Sequence, residues 1–274
     1  MKPIIFNYAN KILGMKRSIF NASLFVLLFS SAARAQSPRA AEARGVSNPW
    51  EIGFYISPSL TDLVLVKNSE AAILEFMFDE RKENELPKLS MSAGFALAYR
   101  INRRFGLETG LQYSNLGYKT KKTELGLFPD EVDPYFGFVR PGGNTGSNPS
   151  QMQIFYSYHY LGIPFKVNYR RGRDPWFFVS SLGLNAEFLL SARQMVILYG
   201  SDDSKERRTN TLPENFNAFN LSPSLSLGLE YRFTKQLCLR AEPTINYGLL
   251  QIRDSPISGH LWSAGLRLGC FWNL

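Results

Sequence analysis

Eight stretches of the chain alternate apolar with small or polar residues at period two, and the connectors between them alternate short and long without a break. The stretches are residues 50–60, 88–101, 104–118, 154–170, 175–192, 219–233, 236–249 and 260–274. Period two belongs to strands, because successive side chains leave a pleated strand on opposite faces. The connectors near Asn102, Arg171 and Thr234 are tight, whereas residues 61–87, 119–153, 193–218 and 250–259 are long. An even number of strands joined in this way predicts an antiparallel up-and-down sheet able to close on itself, with both strand termini on the short-turn rim.

Two closed sheets write such a pattern, and they differ in which row meets water. After residue 36 no apolar run approaches the roughly 20 residues of a membrane-crossing helix, so a membrane reading requires a barrel with its apolar row outward. A soluble barrel turns the apolar row inward and wets the other. In the second stretch Leu89, Met91, Ala93, Phe95, Leu97 and Tyr99 oppose Ser90, Ser92, Gly94, Ala96, Ala98 and Arg100. In the sixth, Leu221, Pro223, Leu225, Leu227, Leu229 and Tyr231 oppose Ser222, Ser224, Ser226, Gly228, Glu230 and Arg232. Small residues with a few charges suit a crowded lumen better than a solvated surface, which favours Lys and Glu. Tyr99, Phe105, Tyr169, Trp176, Tyr231, Phe233 and Trp272 fall near the short turns, as an interfacial aromatic girdle does. The pattern therefore predicts an all-β, eight-stranded antiparallel up-and-down transmembrane β-barrel with short periplasmic turns and long extracellular loops.

The leading segment agrees with export. Lys2, Lys11, Lys16 and Arg17 precede an apolar run of signal-peptide length, and Ala33-Arg34-Ala35 offers a small-x-small cleavage site. The expected organisation is a cleaved signal over 1–35, with Met15 a second candidate start, a short periplasmic segment over 36–48 and the barrel over 49–274. The formal charge of +8 is largely a property of that signal. Removing its five basic residues from the 31 leaves 26 against 23 acids, a mature charge near +3. Such a balance, without Lys and Arg gathered on one face, gives no footing for nucleic acid. Alternation places Cys238 and Cys270 on opposite faces of their strands, which predicts no disulfide between them.

The inward row gathers the chain's ionisable candidates: Arg100, Glu108, Gln112, Lys166, Asn168, Asn185, Glu187, Glu230, Arg232, Arg240, Glu242 and Arg267. Charges in a water-poor lumen must pair, so Glu230 with Arg240 and Glu242 with Arg267 are expected partners. Eight strands leave an interior that side chains can fill, which makes a narrow channel the weaker reading. The last stretch has a second property. Arg267, Gly269, Trp272 and Leu274 fit a polar-x-Gly-x-x-aromatic-x-apolar pattern resembling the assembly signal read by the barrel-insertion machinery. Phe271 is the one aromatic in its otherwise small and polar row.

Residues 158–192 resemble the PorT-like outer-membrane β-barrel family. The resemblance lies in Tyr160-Leu161-Gly162-Ile163-Pro164, a tight turn at 171–175, Trp176-Phe177 and Ser181-Leu182-Gly183. Gly162 stands where the family often has Glu, and the later segment lacks the usual Pro. The resemblance implies the outer membrane of a Gram-negative cell, no catalysis, no cofactor and a role at the cell surface or in a secretion assembly. Outer-membrane lipid and an unidentified protein at the long loops are the expected partners. A rim-sited hydrolase is the alternative, since His159 and His260, the two histidines, lie near the long loops with Ser157 and Ser258 close by. Asp130, Glu131 and Asp133 lack the ligand ladder of a calcium loop. Phe128, Tyr135, Phe136 and Phe138 in the same loop are candidates for local packing or a partner. The first long connector allows either a short helix over the barrel mouth or an extended hairpin.

Overall fold

The computed structural model describes residues 49–67, 72–124, 132–133, 137–138, 149–200, 204–212 and 216–274. The expected signal over 1–35, the expected periplasmic segment over 36–48 and most of the 125–148 loop, including Asp130 and Glu131, lie outside the described residues. Eight long strands form the fold: β1 (Trp50–Lys67), β2 (Glu85–Arg100), β3 (Phe105–Thr120), β4 (Pro149–Arg173), β5 (Trp176–Gly200), β6 (Phe219–Arg232), β7 (Leu237–Tyr247) and β8 (Ile257–Asn273). Each pairs antiparallel with its neighbours in sequence, and β8 returns to β1 with Trp272 opposite Ile52 and Ala264 opposite Leu60. The ring is closed, so neither a free edge nor an unpaired ladder remains for lipid to meet. Among the described residues no helix is long and apolar enough to cross a membrane.

The two rows face as the sequence predicts. Ile52, Phe54, Leu89, Phe95, Leu107, Phe165, Leu227 and Leu268 are exposed on the outer wall, Leu89 to 74%. Glu51, Ser92, Glu108, Ser181, Ser224 and Glu242 are buried inside. At the short-turn rim, cross-strand aromatic pairs form the girdle: Trp50 with Tyr99 at 4.8 Å between ring centroids, Phe105 with Tyr169 at 5.2 Å and Trp176 with Tyr231 at 4.7 Å. The turns are closed by side chains. Asn102 Oδ1 accepts from the backbone N–H groups of Arg104 and Phe105, both at 2.8 Å. Thr234 Oγ1 does the same for Gln236 and Leu237. Short polar side chains bonding their own backbone two residues on are what such turns require.

The strands outrun their sequence boundaries at the other rim. β1 runs to Lys67 instead of Leu60, β4 begins at Pro149 instead of Ile154, and β5 runs to Gly200 instead of Ala192. With 25 residues each, β4 and β5 are more than twice the roughly 9–11 residues needed to cross a membrane. The strand Lys205–Thr211 pairs back onto the end of β5, and Thr123–Glu124 onto β4. The first long connector resolves in favour of the helix, α1 (Ala72–Asn84).

Above the membrane band the interior changes character. Leu116, Tyr118, Ile154, Tyr156, Tyr158, Tyr160, Ala192, Val196 and Leu198 form a buried cluster against which Leu63, Leu189 and Phe216 pack. In β4 the same inward row carries Tyr156, Tyr158 and Tyr160 above and Lys166 and Asn168 below, with no change of parity. In β5 the register slips between Ser191 and Leu189, so the inward row passes from Glu187 to Ala192, Gln194 and Val196. One extra residue at a bulge shifts which side chains face in.

Candidate functional site

The lower lumen is filled by a connected set of ion pairs. Arg240 of β7 donates through Nη2 and Nε to Glu230 Oε2 of β6, at 2.8 and 3.1 Å, and through Nη1 to Glu108 Oε2 of β3 at 3.1 Å. Arg267 of β8 donates to Glu108 Oε1 at 2.6 Å and to Glu242 Oε2 at 3.4 Å. Both pairs expected from strand adjacency therefore form, and Glu108, across the barrel, joins them. Ser181 and Ser226 hydroxyls donate to Glu242 Oε1, and Asn168 Nδ2 donates to Glu108 Oε2. Lys166 is buried and stands opposite Glu108 in the ladder. The guanidinium planes also stack, Arg267 over Tyr55 at 3.8 Å and Arg240 over Phe271 at 4.0 Å.

Two further members of this layer lie outside the inward candidates named from the sequence. Glu51 pairs with Arg100 and lies 3.8 Å from Arg240. Arg170 pairs with Glu230 and stacks over Phe177. Both sit near strand ends but inside the stretches 50–60 and 154–170, where alternation itself turns them inward: Glu51 shares its row with Gly53 and Tyr55, and Arg170 with Lys166 and Asn168. Arg232, by contrast, stands at the rim and pairs with exposed Asp174 at 3.0 Å, so it belongs to the turn rather than to the core of the network. Five cations (Arg100, Lys166, Arg170, Arg240, Arg267) meet four carboxylates (Glu51, Glu108, Glu230, Glu242), and Glu187 higher in the lumen levels the count.

Glu187 is separate from the network. Its Oε2 accepts from Ser222 Oγ at 2.7 Å. Around it Asn185, Asn246 and Ser263 hydrogen-bond in a chain, and Tyr55 reaches Gln112, which reaches Ser114. Glu187, Ser222, Asn185, Asn246, Ser263 and Gln112 line a polar chamber of about 20 Å³, room for a single water. Higher still, Thr61 Oγ1 is 2.6 Å from Ser90 Oγ, and Thr61 also bonds the Gly117 backbone. The lumen is thus closed in three stages: ion pairs, an amide and hydroxyl layer, and the tyrosine cluster.

The helix α1 meets the mouth through several side chains, with Glu75 pairing with Lys67 at 3.8 Å and Met77 and Arg81 turned toward the barrel. Arg81, 6% exposed, pairs with Glu85 at 2.7 Å and donates to the Ile257 carbonyl at 3.2 Å. It borders a surface-facing cavity of about 210 Å³ lined by Leu63, Met77, Tyr118, Tyr158, Phe216, Ile252 and Arg253 among others. Aromatic walls with cationic edges give this cavity the character of a ligand pocket.

The hydrolase candidates do not assemble. His159 Nδ1 lies 2.6 Å from the Tyr113 hydroxyl, while Ser157 Oγ accepts from Lys88 Nζ at 2.6 Å. Ser258 Oγ donates to the Arg253 carbonyl, and His260 Nδ1 lies 3.0 Å from the Gly248 carbonyl. Each serine and each histidine has a partner other than its sequence neighbour, and neither pair has the nucleophile-to-base contact acyl transfer needs. Among the described residues no group of three or more His, Cys, Asp or Glu is placed to hold a metal ion. Cys238 faces in and Cys270 faces out, on neighbouring strands.

The residues of the expected assembly pattern divide between the two walls of the closing strand. Trp272 and Leu274 are exposed on the outside, Arg267 is buried in the network, and Phe271 is buried to 1%. The lone aromatic in that row has a packing reason. A methyl group at Gly53 would stand 2.5 Å from the Phe271 ring and one at Gly269 2.7 Å from it, so the two glycines make room for a ring that seals the lumen beneath Arg240.

A family model described as an outer membrane protein beta-barrel domain matches residues 34–254. No curated protein matches the sequence. Among solved structures the chain is similar to OprG from Pseudomonas aeruginosa, at 10% identity and a TM-score of 0.44, covering 84% of this chain and 98% of that one. It is also similar to Neisserial surface protein A, at 11% identity and a TM-score of 0.39 with 82% and 97% covered. The outer membrane protease OmpT of Escherichia coli aligns at 10% identity and a TM-score of 0.39, with 84% and 98% covered.

Proposed function

Because the chain belongs to the outer membrane protein beta-barrel domain family, we propose that it is a non-enzymatic surface barrel, exported through a cleaved 1–35 signal, that binds a ligand or protein at its extracellular end. The observation that carries this reading is the contrast between the two ends of the lumen. Ion pairs fill the lower half, so solute has no path through, while the upper end presents the cavity under α1. The test is a photo-crosslinking side chain placed at Ile252, beside that cavity, with irradiation of intact cells. A discrete adduct that is absent when the same group is placed at lipid-facing Leu227 is the expected result; adducts to lipid alone overturn it.

The rival activities have their own readouts. Replacing His159 and His260 with alanine should leave the lipid and peptide profile of the outer membrane unchanged. Planar-bilayer recordings should show no stepwise conductance. The PorT-like motif at Tyr160–Pro164 supports an accessory role in secretion as the finer reading. A deletion strain that retains its full set of secreted proteins in the medium removes that role and leaves surface binding standing.

A further inference from the structure

The outer wall formed by β2 to β5 ends, just above its apolar band, in a group of basic and hydroxyl side chains. Lys88 Nζ donates to Ser157 Oγ at 2.6 Å, to Asn115 Oδ1 at 3.3 Å and to the Tyr156 carbonyl at 3.3 Å. All three acceptors are neutral and together take the three N–H groups of the ammonium, so among the described residues no carboxylate pairs with it, and Lys88 offers an anion a fixed positive charge rather than a free donor. Ser157 stands opposite Arg193 in the β4–β5 ladder, and Asn115 opposite His159 in the β3–β4 ladder. The flanking residues Tyr156, Tyr158, Ala192, Ser114 and Leu116 are buried, which puts Ser157, His159, Arg193 and Asn115 together on the outer face. Neighbouring strands are about 5 Å apart, so the exposed Arg193 side chain, opposite Ser157, can supply the donors to a phosphate-sized anion that lies within the field of the Lys88 ammonium. His159 contributes a ring whose Nδ1 is occupied by Tyr113 and whose Nε2 points away from that bond.

Directly below, the same four strands present bare hydrocarbon: Leu89 and Met91, Leu111 and Tyr113, Ile163 and Phe165, and Phe188 and Leu190. The opposite wall at this height is different. There Asp62, whose carboxylate accepts from the neighbouring Leu63 N–H, stands beside Trp262, while Tyr247 stacks on His260 at 5.7 Å, and among the described residues no lysine or arginine bonds to any of them. Cationic groups capping an apolar wall on one side only match an amphiphile with an anionic head and hydrocarbon tails. We propose that Lys88, Arg193, Ser157 and His159 form a binding site for the phosphate headgroup of an outer-leaflet lipid, whose acyl chains lie along the β2–β5 wall. The inference requires only that the barrel sits in the membrane, so its failure leaves the surface-binding reading untouched.

The test uses the full barrel purified in a neutral detergent and titrated by native mass spectrometry with phosphatidate and with diacylglycerol of the same acyl chains. Phosphatidate should bind about tenfold tighter, the scale of one or two charge-assisted hydrogen bonds. Arg193→Ala should erase that preference, and since Arg193 is exposed the variant should keep the gel mobility of the folded barrel. Lys88→Ala should erase it as well, while Arg207→Ala on the Lys205–Thr211 strand should leave it intact. Equal binding of the two lipids, a preference that survives both Arg193→Ala and Lys88→Ala, or displacement of phosphatidate by millimolar inorganic phosphate, which marks a plain anion site, each overturns the proposal.

Discussion

The membrane-embedded half of the barrel and its extracellular half are built from the same strands with opposite interiors. In β4 the inward row below Gly162 is Pro164, Lys166, Asn168 and Arg170, facing ion pairs, while the row above is Ile154, Tyr156, Tyr158 and Tyr160, facing an apolar cluster. The outward row shifts in step, from Ile163, Phe165 and Val167 against lipid to Gln153, Phe155, Ser157 and His159 above it, where polar groups outnumber the one aromatic. Backbone geometry does not distinguish the halves; the surrounding medium does. In lipid the exterior gains nothing by turning inward, so polar side chains are gathered inside where they can pair. Beyond the lipid the usual drive to hide apolar surface from water returns.

Breaking the seam of the lower half should have the largest effect. Deleting residues 271–274 removes Phe271 from beneath Arg240 and the Trp272–Ile52 pairing that closes β8 on β1. The variant should be degraded or stranded in the periplasm, as read by fractionation and protease accessibility, and normal insertion would falsify the closing role of this strand. Next comes the network itself. Glu108→Ala leaves Arg240 and Arg267 without their shared carboxylate and Lys166 without its ladder neighbour. Uncompensated buried charge of this kind costs about 3–5 kcal/mol. It should appear as a lowered urea midpoint for the heat-modifiable form.

What the sequence made legible follows the same division. The eight strands, their closure, the outward apolar row and the Glu230–Arg240 and Glu242–Arg267 pairs were all readable, because alternation fixes the face and adjacency fixes the neighbour. Glu108 was readable as a lumen group but not as the link between the two pairs, since that contact crosses the barrel and no ladder announces it. Arg232 was placed too deep because alternation says nothing of depth: its partner Asp174 lies in the turn. The upper end of β4 escaped because its outer row turns mostly polar at Gln151, Gln153, Ser157 and His159, that of β1 because Asp62 interrupts the apolar outer row before Val64, and that of β5 because the slip at Leu190 breaks the parity. Ser157 and His159 looked like a catalytic couple because sequence proximity hides that Lys88 and Tyr113 hold them.

In the upper half, Tyr158→Ala should be costly but local. Tyr158 is 1% exposed and packs on Phe216 at 5.6 Å and on Tyr118 at 6.4 Å. Removing a buried aromatic ring costs about 3–5 kcal/mol, but here the loss falls on the cap, whose opening need not unzip the barrel. Protease added to intact cells should cleave the ends of β4 and β5 faster than in the wild type, while the urea midpoint of the membrane-protected fragment stays in place. A matching fall in that midpoint would show the two halves to be one cooperative unit.

The boundary between the halves can be located with one side chain used twice. Phe95 is 64% exposed and sits against Phe54 and Leu111 on the outer wall, well inside the apolar band. Arginine there must reach water from hydrocarbon, so Phe95→Arg should cost roughly 2–4 kcal/mol. Val64, on the same outer row as Leu60 but opposite His260, is 42% exposed and above the band. If the medium changes between Leu60 and Val64, Val64→Arg should cost about 0–1 kcal/mol, since the guanidinium meets water or headgroups. Equal penalties at the two sites would mean that lipid covers both. The inward tyrosines would then need a reason for burial other than water outside, and the contrast between the two halves would lose its physical cause.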